Sequence, residues 1–275
     1  MTRVRDLCTH LDAAIPFLWA EPWDRVGLLV GDGDAVITRV MVSLDPTHSA
    51  LERAAQAGAN VLVTHHPAFL DPPETVVAGL GSAGVVFDAA RRGIALIACH
   101  TNLDRSPEGA GALPAALDLP VRGPLERRNP ASRADLSPDA PLAGRLCEPG
   151  EADTLGTLAT LVGTRLGVGV RVWGDLESPV TLVALAPGSG RSLVDDALAG
   201  GADALVTGEL RYHVAHDALE KGLLVIEAGH DATEWPLTQA LARIVERTPG
   251  IKAEYVVTDR ILIPWRMVAK GSECK

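Results

Sequence analysis

Aromatic residues are scarce in this chain: Phe, Trp and Tyr make up 4% of its 275 residues. A sizeable core must therefore be filled by Leu, Val, Ile and Ala. Cysteine is scarce too. The four present (Cys8, Cys99, Cys147 and Cys274) show no CxxC spacing, which argues against a zinc ribbon or a disulfide framework. No apolar run approaches the roughly 20 residues needed to cross a bilayer. Met1 to Asp12 carries mixed charges and no apolar stretch, unlike a signal peptide, so a cytoplasmic protein is expected. Positive charge is in deficit, with 25 Lys and Arg against 35 Asp and Glu, a net charge of −10. That disfavours a general nucleic-acid binder, which needs a basic face for phosphates. A local basic pocket for a small anion stays open. The GxGxxG fingerprint, the Walker lysine motif and the GxSxG nucleophile elbow are all missing.

What the chain has is an internal repeat. Gly93-IALIAC-His100-TNL-Asp104 in the first half is matched by Gly222-LLVIEAG-His230-DAT-Glu234 in the second. Both place a histidine and a carboxylate four residues apart after a buried apolar run. Upstream, Ala57-Gly58-Ala59-Asn60-VLVT-His65-His66 corresponds to Gly200-Gly201-Ala202-Asp203-ALVT-Gly208-Glu209. Around these motifs, apolar runs alternate with stretches of helical spacing. Leu7, Leu11, Ile15 and Leu18 predict an opening helix. Strands are predicted over 26–30, 36–44, 60–64 and 94–99, with helices over 49–57 and 85–92, and a loop with a short helix over 104–120. In the second half, helices are predicted over 155–166, 193–198, 213–220 and 234–247. Strands fall at 168–173, 180–185, 204–207 and 223–227, with late strands at 253–257 and 261–263. Continuous apolar strands are buried on both faces, so the expected fold is α/β: two duplicated lobes of layered helices and sheet with a cleft between them. The chain divides into a first half at 1–123, a connecting segment at 124–143 and a second half at 144–275. The Pro-, Arg- and Ser-rich connection reads as an exposed link, with a lid or an oligomer contact as the lesser alternative.

Ligands in open α/β sheets bind beyond the carboxyl ends of strands, where loops gather polar groups from several strands. Here those ends carry His65 and His66, His100 through Asp104, Gly208 and Glu209, and His230 through Glu234. Imidazoles and carboxylates suit first-row transition metals. Each element also has a plainer reading. Neighbouring side chains on a strand face opposite ways, so His65 and His66 share a site only if the backbone turns at Pro67; otherwise they belong to a solvated turn or make unrelated hydrogen bonds. Asp231-Ala232-Thr233-Glu234 fits a helix capping box, with Pro236 in the first turn. Asp104 could sit in a turn or a cap. Five such groups at equivalent ends of a repeated scaffold favour a metal site over separate coincidences. His10 and His48 fall outside the set, and His213 and His216 are expected on a helix surface. Trp23 and Asp24 read as a packed corner and a loop cap. The Gly188-Ser189-Gly190-Arg191 turn is a weak candidate for receiving phosphate.

The motifs WDRVGLLVGD (23–32), SLDPT (43–47), THHP (64–67), HTNLD (100–104), TGE (207–209) and GHDATE (229–234) resemble the GTP cyclohydrolase I type 2 homologue family along nearly the whole chain. The resemblance implies a two-lobed α/β protein with a dinuclear metal centre in its cleft, assembled as a toroidal homohexamer. Carried over by position, the metal ligands are His65, His66, Asp104, His230 and Glu234. The cofactors would be two divalent transition-metal ions per chain, zinc, iron or manganese among them. The chain resembles the short form, without the extra domain that longer relatives carry between the halves. It departs from the family pattern at Arg25, where asparagine is common, and at Asp231, where an aromatic is common.

These features point to a metal-dependent hydrolase acting on GTP or a related nucleotide or heterocycle through activated water. The alternative is a metal-binding or metal-chaperone hexamer without turnover. Glu209, at the repeat position of His66, is the candidate acid–base group or support for a ligand. His100 is expected to orient a ligand by hydrogen bonding. The partners expected are further copies of the chain and a small-molecule substrate, with neither nucleic acid nor membrane.

Overall fold

A computed structural model describes residues 1–127 and 141–251 and the backbone of 256–258. The first stretch runs α1 (Val4–Ala14), β1 (Gly27–Val30), β2 (Val40–Ser43), α2 (His48–Gln56), β3 (Val61–Thr64), α3 (Gly81–Arg92) and β4 (Ala95–Ala98). Three short helices follow, α4 (Thr101–Arg105), α5 (Pro107–Ala110) and α6 (Ala112–Leu117), then β5 (Val121–Pro124). The second stretch runs β6 (Arg145–Cys147), α7 (Leu155–Leu166), β7 (Arg171–Trp173), β8 (Val183–Ser189), α8 (Val194–Ala199), β9 (Ala204–Glu209), α9 (Tyr212–Glu220), β10 (Leu224–Glu227) and α10 (His230–Glu246). The strand β11 (Val256–Thr258) closes the series.

The strands form two sheets, in the orders β1-β4-β3-β2-β11 and β5-β6-β8-β9-β10-β7. In the first, β2, β3 and β4 are parallel and β1 is antiparallel to β4. In the second, β8, β9 and β10 are parallel and β7 is antiparallel to β10. Each sheet thus has a parallel trio flanked by an antiparallel edge strand that precedes it in the chain. The register pairs Ser43 with Thr64 and Thr64 with Ala98, so the three parallel strands stop level and their loops open on one side. In the second sheet Thr207 pairs with Glu227, where β10 ends, and β9 runs on to Glu209 beside Ser189.

Alternate residues of the central strands go to opposite helix layers, and both layers are apolar. Val40, Val42, Val61, Val63, Ala95 and Ile97 pack with residues of α1 and α10, while Met41, Leu62 and Leu96 pack with α2 and α3. In the second sheet, Val183, Leu185, Ala204, Val206 and Ile226 face α6 and α7; Ala184, Ala186, Leu205 and Val225 face α8 and α9. A strand with period-two burial on both faces needs apolar residues throughout.

The halves of the chain exchange elements. Helix α10, from the second half, supplies Leu237, Leu241, Ile244 and Val245 to the core of the first sheet, and β11 pairs with β2. In return, Leu113 and Leu117 of α6 enter the core of the second sheet, and β5 at 121–124 pairs with β6 there. The chain therefore joins the second sheet before the 124–143 connection begins. These exchanged contacts lock the sheets together and set the ends of β3 and β4 against α10.

Some elements differ from the sequence-based expectation. The strand expected over 36–44 is regular only at Val40–Ser43, with Val36 in an isolated bridge to Arg3. Three helices replace the loop and single helix expected over 104–120. Helix α10 begins at His230 rather than near Glu234, so Pro236 lies inside the helix and not in its first turn. The strand expected at 261–263 and most of the connection lie outside the described residues. Among the described residues, no helix is long and apolar enough to cross a membrane.

Candidate metal centre

Six side chains from three chain segments meet between the sheets. His65 and His66 follow β3. Their backbone amides continue the pairing with β2, donating to Ser43 and Leu44 carbonyls, and the chain then turns at Pro67. The turn brings the two imidazole centroids to 5.0 Å, so these neighbours share one site. His100 is the N-cap residue of α4 and Asp104 lies four residues on within it. His230 and Glu234 occupy the first two turns of α10. The His100 ring lies 5.2 Å from that of His65 and 5.5 Å from that of His66, and the rings of His66 and His230 are 5.3 Å apart.

Glu234 is the hub. Its carboxylate is 5% exposed as a residue. Its Oε2 lies 3.0 Å from His66 Nε2 and 3.1 Å from His230 Nε2, and its Oε1 lies 3.7 Å from His65 Nε2. Asp104 Oδ1 is 3.6 Å from His65 Nε2 on the other side. The capping-box reading of Asp231 to Glu234 does not hold: the N-cap of α10 is Gly229, without a side-chain cap, and Glu234 points at the imidazoles. Asp104 likewise caps nothing, because the N-cap of α4 is His100.

Every histidine of the group has its Nδ1 engaged by an acceptor. His65 Nδ1–H donates to the Cys99 carbonyl at 3.0 Å, His66 to Asp45 at 2.7 Å, His100 to Asp24 at 2.9 Å and His230 to Glu209 at 3.2 Å. A carbonyl or carboxylate can only accept, so Nδ1 carries hydrogen in all four rings. In the neutral tautomer that leaves each Nε2 with a lone pair, the arrangement in which a histidine and its outer partner hold a metal. Two overlapping sets of three donors result, His65, His66 and His100 in one and His66, His230 and Glu234 in the other. Within each set the donor atoms lie within 4.8 Å of one another.

These residues fit a metal on the evidence of their own unmet valences. His65 is fully buried, and its Nε2 has no hydrogen-bond partner among the described residues. Glu234 Oε2, though close to two imidazole nitrogens, is aligned for a hydrogen bond with neither. Buried polar atoms are seldom left so, and a cation at the centre would satisfy both. Protons are the competing occupant. Burial alone would lower His66, but the hydrogen bond to Asp45 and the adjacent Glu234 carboxylate raise it to about 10. The adjacent Glu234 carboxylate outweighs burial at His230 and raises it to about 9. His65 is also held above its usual value, as Asp104 and Glu234 overcome the burial that would lower it. Burial would push Glu234 up, yet the surrounding imidazoles hold its carboxyl well below the ordinary range. Burial dominates at Asp104 and raises it.

Asp24, which reads from sequence as a loop cap, is 8% exposed and ties the N-terminal loop to the cluster. Its Oδ1 accepts from His100 Nδ1, and its Oδ2 from the Thr101 amide and hydroxyl at 3.0 and 2.5 Å. Burial would raise this carboxyl, but the His100 and Thr101 hydrogen bonds bring it to about 2. Trp23 is not a packed corner: it is 54% exposed and meets His100 edge-on at 6.1 Å. His100, expected to support a ligand, stands in a donor set itself, with Asp24 as its support. Asp45 had no role assigned from sequence. It too follows the end of an apolar strand, and that position was the available signal. Glu209 is largely exposed and accepts from His230, so it supports a donor. His48 pairs with Asp88 at 3.5 Å, and His216 stacks on Tyr212, both away from the cluster.

The cluster floors a cavity of about 920 Å³, whose wall includes Trp23, Pro67, Leu70, Arg105, Arg191 and Lys221. Close backbone approach makes this geometry possible. Gly188 has φ +64, and a Cβ there would run into the Glu234 carboxylate. At Gly208, the repeat position of His65, a Cβ would meet the Gly188 carbonyl at 2.6 Å and His230 Cα at 2.7 Å. The second half thus uses that position to bring α10 against the strand ends, where the first half uses it for a histidine.

A two-sheet α/β fold with a buried histidine–carboxylate cluster at its strand ends defines the class of protein. Residues 2–262 match the model of the Duf34/NIF3 (NGG1p interacting factor 3) family, and the chain belongs to that family. It is 40% identical over 243 residues to the GTP cyclohydrolase 1 type 2 homolog of Streptomyces coelicolor, covering 86% of this chain and 83% of that one. Among solved structures it superposes on Staphylococcus aureus protein SA1388 with a TM-score of 0.85 at 26% identity, covering 97% and 99% of the two chains. The Bacillus cereus protein related to NIF3 gives a TM-score of 0.87 at 22% identity, over 98% and 99%, a likeness of fold alone.

Proposed function

We propose that this protein holds two divalent transition-metal ions between its sheets and uses them to hydrolyse a small heterocyclic substrate such as GTP or a related nucleotide. The observation that supports it best is the convergence of four imidazoles and two carboxylates beside one cavity, which all of them but His65 line. In this reading His65, His66, Asp104, His230 and Glu234 are the ligands, with His100 as a further donor. His66 belongs to both donor sets, so it sits where two ions would be neighbours. Such ions supply Lewis acidity and bring the pKa of water toward neutrality.

The chain's own groups do the rest. Asp24, Asp45, Glu209 and the Cys99 carbonyl fix the ring orientations and the tautomer of the four imidazoles. Asp104, whose pKa burial raises and whose side chain lines the cavity, would give up its proton on binding an ion. Glu209 sits behind His230 and acts through it.

The test is metal content and turnover of protein purified without chelator or His-tag, beside a His65→Ala/His230→Ala variant. About two ions per chain, lost in a still-folded variant, together with metal-dependent hydrolysis of GTP or another screened heterocycle, is the expected result. Metal without turnover would leave a metal-holding protein. Metal content indifferent to both substitutions would overturn the site. The homohexamer implied by the resemblance is part of this proposal and is read from the solution mass of the same preparation.

A further inference from the structure

The cavity beside the cluster has a distinctive charge arrangement. Three cations line it: Arg105, Arg191 and Lys221. The Arg105 guanidinium is held by Glu21 at 2.6 Å and Glu126 at 3.1 Å and so is fully compensated. Lys221 lies 3.5 Å from Asp195. Arg191 has no carboxylate or hydrogen-bond partner among the described residues, although it faces the same space. An arginine that no acid claims, on the wall of a concave site, is a fork-shaped donor for phosphate.

The backbone that carries Arg191 is also fixed relative to the cluster. At the end of β8, the Gly188 amide donates to Thr233 Oγ1 at 3.0 Å, and its carbonyl accepts from Thr207 Oγ1 at 3.1 Å. Thr233 neighbours Glu234, and Gly188 itself lies against the Glu234 carboxylate. Arg191 is three residues further on, so its Cα stands at most about 11 Å along the chain from Gly188. Arg191 and Glu234 thus line one cavity from backbone positions tied to each other. Toward the other side of the cluster, Trp23 presents a half-exposed ring beside His100, with Pro67 and Leu70 adding apolar wall. A flat ring set on Trp23 would bring its edge to the imidazoles, and a charged tail would extend toward the second sheet.

We infer that Arg191 is the phosphate-recognising residue of this cavity, and that the substrate class is a phosphorylated planar heterocycle whose ring lies on Trp23. The inference rests on the metal-site reading for the reaction, but Arg191 makes its own contact. Removal of that contact costs a charge-assisted pair worth about tenfold to a hundredfold in affinity.

The test uses the metal-loaded full chain, with metal content measured on each sample. The four ribonucleoside 5′-monophosphates and their parent nucleosides are titrated into wild type, Arg191→Ala, Arg191→Lys and Trp23→Ala. At least one monophosphate binds wild type about tenfold or more tightly than its nucleoside. Arg191→Ala abolishes that preference without changing nucleoside affinity, and Arg191→Lys restores part of it. Trp23→Ala weakens nucleoside and nucleotide alike. A preference that survives Arg191→Ala, including one that chelation removes, overturns the assignment by placing the phosphate on the metal. Failure of all four monophosphates to bind metal-loaded wild type overturns it as well, and unchanged binding by Trp23→Ala overturns the placement of the ring. Wild type that carries no metal sinks the metal reading separately, because metal content is read independently of nucleotide binding.

Discussion

His66 Nε2, at the end of the first sheet, lies 3.0 Å from Glu234 Oε2, on the helix that follows the second sheet. The two residues are distant in sequence, and neither half of the chain makes the cluster alone. Glu234 is the group that His65, His66 and His230 share.

Glu234→Gln is therefore the most informative single change. It keeps the shape but removes the charge around which three imidazoles gather. Metal content is expected to fall from about two ions to at most about one per chain, with the fold retained by circular dichroism. Retention of full metal content by the Gln variant would show that Glu234 is not a ligand.

Asp24 acts one step further out. In Asp24→Asn the amide can still accept from Thr101, but it no longer offers His100 a charged acceptor. Loss of such an outer partner lowers metal affinity by roughly 10- to 100-fold, and the poorer buried hydrogen bonding costs about 1–3 kcal/mol of stability. Competition with a chromophoric chelator reads the first effect and denaturant unfolding the second. An unchanged chelator midpoint would reduce Asp24 to a loop anchor.

Proton release gives a third check. Without metal, His66 titrates at about 10 and His230 at about 9, so both are protonated at neutral pH and metal must displace a proton from each Nε2. Affinity then rises with pH, by about two decades per unit below pH 9. The rise flattens once both imidazoles are neutral before metal arrives, with His65 adding to the release. Calorimetry in buffers of different ionisation enthalpy counts the protons directly. Binding with no proton release would show that these imidazoles are neutral before the metal arrives.

Much of the scaffold was legible in the residues because its strands are buried on both faces. Runs such as Val61 to Thr64 and Leu224 to Glu227 announce parallel strands, and the polar residue after each run marks the site. The sequence pattern sets the start of α10 late, since Asp231 and Glu234 imitate a capping box inside a helix that begins at His230. Over 104–120 the Gly and Pro residues, which punctuate α5 and α6, make short helices look like loop.

The sequence by itself determined the alternation of strands and helices, the repeat, and which side chains stand at strand ends, since these follow from local periodicity. Only the tertiary structure decided that α10 and α6 cross to the opposite sheets, that Asp24 supports His100 from 76 positions away, and that Arg191 lacks an acid among the described residues while Arg105 has two. Those facts depend on which distant groups come within hydrogen-bond range. Pattern along a chain carries no distance between residues that packing alone brings together.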